Sequence, residues 1–279
     1  MQTVLTIAGF DPSSGAGVTA DLMVFAAHGL FGVSAITALT VQSTVGVLAT
    51  YPVAAEILSG TVDCLDRDLP PAGIKIGMLA TALNVAVVCD YLDEVRRREQ
   101  SRPAAARIPV VLDPVLRSSS GRELVEPEGV TTLREGLLPL ADWVTPNLEE
   151  LAVLTGCRVA SHDDLRTAAR AIQAQVIHKN GRLGVFATGG HLTPPDDFLL
   201  TPAGEELWLP GQRIETRATH GTGCALASAF LSRLVLGDAP ADAARAAKQY
   251  VAGALQSGVE RGAGHSAINH LWSIISLRQ

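Results

Sequence analysis

Short apolar runs alternate with helix-patterned segments along the whole chain, and this alternation leaves few folds open. Gln2 to Ala8, Phe31 to Val41, Gly73 to Ile76, Pro109 to Leu112, Trp143 to Thr145 and Val185 to Ala187 read as buried strands. Between them lie helical spacings at Val18 to His28 (stopped by Gly29), Val53 to Leu65 and Leu83 to Arg98. Others lie at Thr131 to Leu138, from Pro146-Asn147 through Leu154 to Gly156, and at Asp163 to Gln175. Two short strands, Phe198 to Thr201 and Glu205 to Leu209, flank Pro202-Ala203-Gly204, and Ala239 to Gln256 is a closing Ala-rich helix. Strands that are apolar throughout, rather than alternating, belong to a mainly parallel sheet covered on both faces. The expectation is therefore an α/β chain without an internal linker, read as one domain over 1–279. In such sheets ligands collect at the carboxyl ends of the strands. The polar punctuation sits at those ends: Gly9 and Asp11, Gln42, Gly77-Met78, Asp113, Asn147 to Glu150 and Gly189-Gly190. Loops carry polar residues anyway, so one composite site and ordinary turns are both open.

The bulk chemistry narrows the classes. Apolar residues make up 47% of the chain and charged residues 18%, which suits a large core and not extended disorder. A net charge of −6 argues against a nucleic-acid partner, which needs a basic stripe. Four scattered cysteines form no C-x-x-C pair and fit a reducing cytoplasm better than a disulfide scaffold. Neither a secretory signal nor a run of about 18 apolar residues is expected to tie the chain to a membrane.

The stretch Ala218-Thr219-His220-Gly221-Thr222-Gly223-Cys224 leads into an Ala- and Leu-rich run. It reads as a tight turn opening a buried helix, whose free N–H groups and positive dipole end suit an anion. Cys224, in that first turn, is expected to have a lowered pKa. A glycine turn with a small buried thiol is the plainer reading. Asp113, just past a strand, could hold Mg²⁺ or serve as a turn cap. Asn147 and Glu150 share a helix face and fit either a Mg²⁺-water and phosphate site or a capping box. Asp21 reads as a solvated helix residue, Gln42 as a strand-end cap or a reader of a heterocycle edge, and Met78 as packing or a soft ring contact. His191 and His220 read as satisfied loop histidines rather than a metal pair. No Walker-type P-loop and no nucleophile elbow is present.

Taken in order, these segments resemble the hydroxymethylpyrimidine/phosphomethylpyrimidine kinase family of thiamine synthesis, within the ribokinase-like superfamily. The residues that carry the resemblance are Leu5-Thr6-Ile7-Ala8-Gly9, Asp11-Pro12-Ser13, Gly15-Ala16-Gly17 and Ala20-Asp21-Leu22. Further on they are Ile36-Thr37-Ala38-Leu39 with Gln42, Lys75-Ile76-Gly77-Met78-Leu79 and Val111-Leu112-Asp113-Pro114-Val115. Thr145-Pro146-Asn147-Leu148 with Glu150, Gly189-Gly190-His191, Thr219 to Cys224, and Gly262 and Gly264 with Asn269-His270 complete them. The resemblance implies a three-layer α/β/α sandwich, a homodimer, and use of ATP and Mg²⁺ on a small pyrimidine alcohol. It implies a pyrimidine pocket lined by Gly9, Asp21, Gln42, Met78 and Val115, with Gln42 on the aminopyrimidine edge. It places Mg²⁺ at Asp113 and Glu150, and the ATP phosphates near Asn147, Thr188, Gly190 and Thr219. Gly221, Thr222 and Gly223 become the anion hole, and Cys224 the group that activates the hydroxymethyl.

The family has a lysine before Gly-Gly-His where this chain has Thr188. A hydroxyl supplies no charge, and losing a phosphate-binding cation costs roughly 3 kcal/mol, about a hundredfold in rate. Lys179 and Arg182 are the nearest basic residues in sequence. Phe10, often a small residue in the family, is expected to reshape the pocket wall. The resemblance leaves a pyridoxal kinase and a pyrimidine binder with weakened catalysis as alternatives. A sugar kinase is disfavoured, because Cys224 stands where those enzymes have Asp.

Overall fold

The computed structural model describes residues 1–100, 107–118, 120–180 and 183–275. Nine strands form the main sheet: β1 (Thr3–Phe10), β2 (Phe31–Ser43), β3 (Gly46–Pro52), β4 (Gly73–Ile76), β5 (Val110–Leu112), β6 (Trp143–Val144), β7 (Gly184–Ala187), β8 (Asp197–Leu200) and β9 (Glu206–Leu209). Their order is β3-β2-β1-β4-β5-β6-β7-β8-β9. The pairs from β2 through β7 are parallel, and the outer pairs β2–β3, β7–β8 and β8–β9 are antiparallel. A small second sheet joins β10 (Ala218–His220) to β11 (Ser266–Ala267).

The helices are α1 (Gly17–Ala27), α2 (Ala55–Asp68), α3 (Ala82–Glu99), α4 (Pro127–Thr132), α5 (Leu148–Thr155), α6 (His162–Asn180), α7 (Thr222–Val235), α8 (Pro240–Gln256) and α9 (Trp272–Ile275). Period-2 alternation sends successive strand residues to opposite cores. Leu5, Ile7, Ile74, Ile76, Leu112, Val144 and Val185 face one core, with Leu92 of α3 and Ile172 of α6. Val4, Val111, Trp143 and Phe186 face the other, with Phe25 of α1, Phe230 of α7 and Tyr250 of α8. The outcome is the expected three-layer α/β/α sandwich with a mainly parallel sheet.

Two expectations change. The helix expected over Thr131 to Leu138 begins earlier, with Pro127 at its first position, and passes into a π turn at Leu133–Leu137. It ends as a 3₁₀ turn at Pro139, which has no N–H to continue the ladder. The strand β3 was not expected. It carries Val47, Thr50 and Tyr51, all strand formers, and pairs with β2 across a two-residue turn at Thr44-Val45. Most of the Glu99 to Arg107 loop, and Ser119 of the Ser118 to Gly121 loop, lie outside the described residues.

Candidate active site

Two glycine loops meet at the carboxyl ends of β1 and β10. Gly221 caps α7 with φ +89°, and a Cβ on it would fall 1.7 Å from the Gly15 carbonyl oxygen. Only glycine fits both the conformation and the gap. Gly17 opens α1 at φ +62°, and its Cβ would fall 2.2 Å from the Gly9 carbonyl. Neither helix receives a side-chain cap, so the N–H groups at Thr222, Gly223 and Cys224 are left for an incoming acceptor. The turn is arranged as the sequence suggested.

Beneath it lies a buried polar cluster. Lys75 of β4 is fully buried and reaches Asp21 Oδ2 at 3.0 Å and Asp113 Oδ2 at 3.7 Å. Asp21 also accepts from Thr6 Oγ1 (2.6 Å) and Ser228 Oγ (2.7 Å). Asp21 is therefore not solvated, which corrects the plain reading of it as a surface helix residue: it is fully buried and holds Lys75. Burial would strip the proton from Lys75, but the Asp21 and Asp113 carboxylates outweigh it and hold the ammonium well above its ordinary range.

Cys224 departs from expectation. Burial pushes its thiol up to about 12; the nearby Lys75 cation and the Gly17 N–H oppose this, while Asp113 and Asp21 add to it. The helix N-terminus does not make a standing thiolate here. The nearby Cys224 side chain instead helps to stabilise the Asp113 anion. Burial raises Asp113 as well, against the pull of Lys75.

Asp113 Oδ2 is buried without a hydrogen-bond partner. Glu150 is pushed up to about 8, first by burial and then by the Asp113 charge, although the Asn147 and Leu116 N–H groups stabilise its anion. The capping box exists: Asn147 Oδ1 accepts from Glu150 N, and Glu150 Oε2 from Asn147 N, both at 2.9 Å. The box fixes Glu150 where it still feels the Asp113 charge. Two buried carboxylates, both with raised pKa values and one with an oxygen that accepts no hydrogen bond, make a donor set suited to a hard cation sharing phosphate oxygens. Among the described residues no cluster of three metal-ligand side chains exists, so the protein alone gives this pair and not a full cage.

The ring-binding candidates converge partly. A Cβ on Gly9 would meet Met78 Sδ at 3.0 Å, and Val115 packs on the small cluster of Ala38, Met78 and Ala80. Exposure alternates at the end of β2, with Leu39, Val41 and Ser43 outward and Thr40 and Gln42 half-buried. The Gln42 side chain helps to hold Asp11 in its ionised form. Phe10 ends β1, half-buried, its carbonyl accepting from Thr40 Oγ1 at 2.9 Å.

Thr188 and Gly190 follow β7, two strands from Asp113 in the sheet order. Thr219 lies in β10, its hydroxyl 3.4 Å from His265 Nδ1. Among the described residues no hydrogen bond joins these three to Asp113 or Cys224. Arg213 reaches this loop, its Nη2 3.4 Å from the Gly190 carbonyl. The Lys179 side chain and Arg182 lie outside the described residues.

Lys75 and the Asp11–His220 pair escaped the sequence reading. A lysine inside the otherwise apolar Gly73–Ile76 strand was the available signal for the first. The second joins positions 209 apart, with no local signature.

A family model for phosphomethylpyrimidine kinase matches residues 11–269. The chain belongs to the phosphomethylpyrimidine kinase family. The Rhizobium meliloti hydroxymethylpyrimidine/phosphomethylpyrimidine kinase is 40% identical over 269 residues, covering 95% of this chain and 96% of its own. The crystal structure of phosphomethylpyrimidine kinase from Clostridium difficile superposes with a TM-score of 0.75 at 32% identity, covering 90% of this chain and 98% of that one. An ADP complex of Bacillus subtilis pyridoxal kinase superposes at 0.83 with 26% identity, covering 97% of both. Family membership thus sets the amide turn of α7 and the Asp113–Glu150 pair within a kinase fold.

Proposed function

We propose that this chain, as one kinase domain, transfers the γ-phosphoryl group of ATP to the hydroxymethyl of 4-amino-5-hydroxymethyl-2-methylpyrimidine, and then to its monophosphate. The observation that carries the reading is the α7 amide turn standing over Cys224, Asp113 and Lys75. Phosphoryl transfer needs positioning and charge neutralisation more than covalent chemistry. The N–H groups of Thr222, Gly223 and Cys224 would hold the transferring phosphate. The Cys224 thiol would relay the alcohol's proton, taking it on sulfur while passing its own to Asp113. Gly9, Met78 and Val115 would wall the ring, with Gln42 on its amino edge. Asp113 and Glu150 would hold Mg²⁺, which supplies neutralisation of the phosphate oxygens. The Asp113 oxygen that accepts no hydrogen bond supports that assignment. The ADP complex of the pyridoxal kinase supports adenine nucleotide as the donor, with Asn147, Thr188, Gly190 and Thr219 on its side of the site.

The expected lysine charge is absent at Thr188; among the described residues Arg213, on the Gly190 carbonyl, is a cation placed to compensate. The outward apolar residues Phe31, Leu39, Val41 and Tyr51 on β2 and β3 support a homodimer. Free cysteines and the absence, among the described residues, of a helix long and apolar enough to cross a membrane support a cytoplasmic setting.

The superposition with a pyridoxal kinase favours one second reading, pyridoxal as the alcohol. A coupled ADP-release assay across the pyrimidine alcohol, its monophosphate and pyridoxal separates the two. Turnover of both pyrimidines supports the proposal, and turnover of pyridoxal alone overturns it. Tight pyrimidine binding with no ADP release identifies a binder instead. In a slow wild type, Thr188→Lys is expected to raise turnover.

A further inference from the structure

The α7 turn that receives the phosphate has no side-chain cap of its own, so something else must hold it in place. The residue before it, His220, is held firmly. His220 Nε2 lies 2.8 Å from Asp11 Oδ2, and the Asp11 carboxylate is itself clamped on the loop after β1. It accepts from Ser13 N (2.8 Å), Ser13 Oγ (2.7 Å), Ala16 N (2.9 Å) and Gly15 N (3.2 Å). A carboxylate bound by so many donors stays an acceptor, so His220 must carry its proton on Nε2 and donate it.

The backbone is fitted to this pairing. A Cβ on Gly15 would lie 2.1 Å from His220 Cδ2, so the imidazole rests against the bare Gly15 backbone. The Gly15 carbonyl is in turn the surface against which Gly221 packs. It also lies 2.9 Å from Nε2 of buried His270. The loop after β1 and the phosphate turn are thus keyed together at adjacent residues, with one charged hydrogen bond crossing the joint.

We propose that Asp11 and His220 are a positioning pair that locks the α7 amide turn at the distance and angle phosphoryl transfer requires. His220 acts through the turn and not on the phosphate, because its Nε2 is committed to Asp11. This rests on the reading of the turn as the phosphate site, but not on which alcohol is phosphorylated. A displaced amide weakens the transition state more than the ground state, so the loss falls on kcat.

The test compares wild type, His220→Ala and His220→Gln, using whichever alcohol wild type turns over. His220→Ala is expected to lower kcat by about 10- to 100-fold with little change in either KM. His220→Gln places an amide donor near the lost Nε2 and is expected to recover most of that loss. Hydrogen exchange at residues 218–226, with the melting temperature, gives a readout independent of turnover. Exchange should quicken in His220→Ala and return toward wild type in His220→Gln. The proposal is overturned if His220→Ala keeps wild-type kcat, if Gln falls as far as Ala, or if the loss appears in KM alone. If wild type turns over none of the alcohols, the assignment of the site fails separately; equal exchange in all three proteins then overturns the positioning pair as well.

Discussion

At the scale of single residues, the site depends on buried charges. Lys75 is the counter-charge for two buried carboxylates, Asp21 and Asp113. Removing one member of such a group leaves the others unpaired, so Lys75→Met is expected to cost about 3 to 5 kcal/mol in urea denaturation. A loss under about 1 kcal/mol would mean the cluster does not depend on its cation. Asp11 makes a pH prediction. Burial works to raise its pKa, but hydrogen bonds from His220, Gln42 and Ser13 prevail and hold it well below the carboxylate range. The unfolded chain therefore takes up a proton before the folded one, and stability is lost as pH falls below about 4. Melting curves between about pH 5 and pH 2 should be steeper for wild type than for Asp11→Asn. Cys224 shows why a residue-level inference from sequence can miss. The helix end that would lower its pKa is local and visible in the motif. The burial and the acids Asp113 and Asp21 that raise it come from distant segments.

At the scale of elements, the parallel strands were legible because burial on both faces leaves them apolar along their length. The α5 capping box was equally legible, since Asn147 and Glu150 lie one turn apart. The strands β10 and β11 were not. They are three and two residues long and exist because the turn before α7 docks on the carboxyl-terminal segment. Docking recurs at the β2–β3 turn, where Thr44 carbonyl accepts from His265 N (2.8 Å). The nearby Gly264 leaves no room for a Cβ, which would fall 1.9 Å from that carbonyl. Spacing records which residues share a helix face, but not which loops will touch. The closest touch gives the prediction for this scale. Gly221→Ala combines a left-handed backbone with a collision against Gly15, so it is expected to lower kcat about a hundredfold or more. Circular dichroism would check that the helices persist, and near-normal turnover would remove the turn from the mechanism.

At the scale of the whole molecule, the sheet sorts its two edges differently. The β8–β9 edge is tied to helix α6 by Arg166 and Arg170, which both reach Glu206. The β3 edge leaves Tyr51 61% exposed and Leu39, its partner across the ladder, 49% exposed. A second copy of the chain covering this face would bury that surface while leaving half-buried Gln42, next in β2 after outward Val41, uncovered. Light scattering is expected to give the mass of a dimer for wild type, and Leu39→Asp with Tyr51→Asp to reduce it to the monomer. A wild type already monomeric at micromolar concentration would place the partner elsewhere.

The central claim is that the turn of α7, Cys224 and the Asp113–Glu150 pair phosphorylate a pyrimidine alcohol. Its most direct test is a competition. Wild-type protein is given Mg·ATP with equimolar pyrimidine alcohol and pyridoxal, and the phosphate esters are quantified by phosphorus NMR. Their early ratio equals the ratio of the two kcat/KM values. The account predicts that the pyrimidine phosphate dominates and that Cys224→Ala suppresses it; dominance of pyridoxal phosphate, or an unchanged rate in Cys224→Ala, would contradict it.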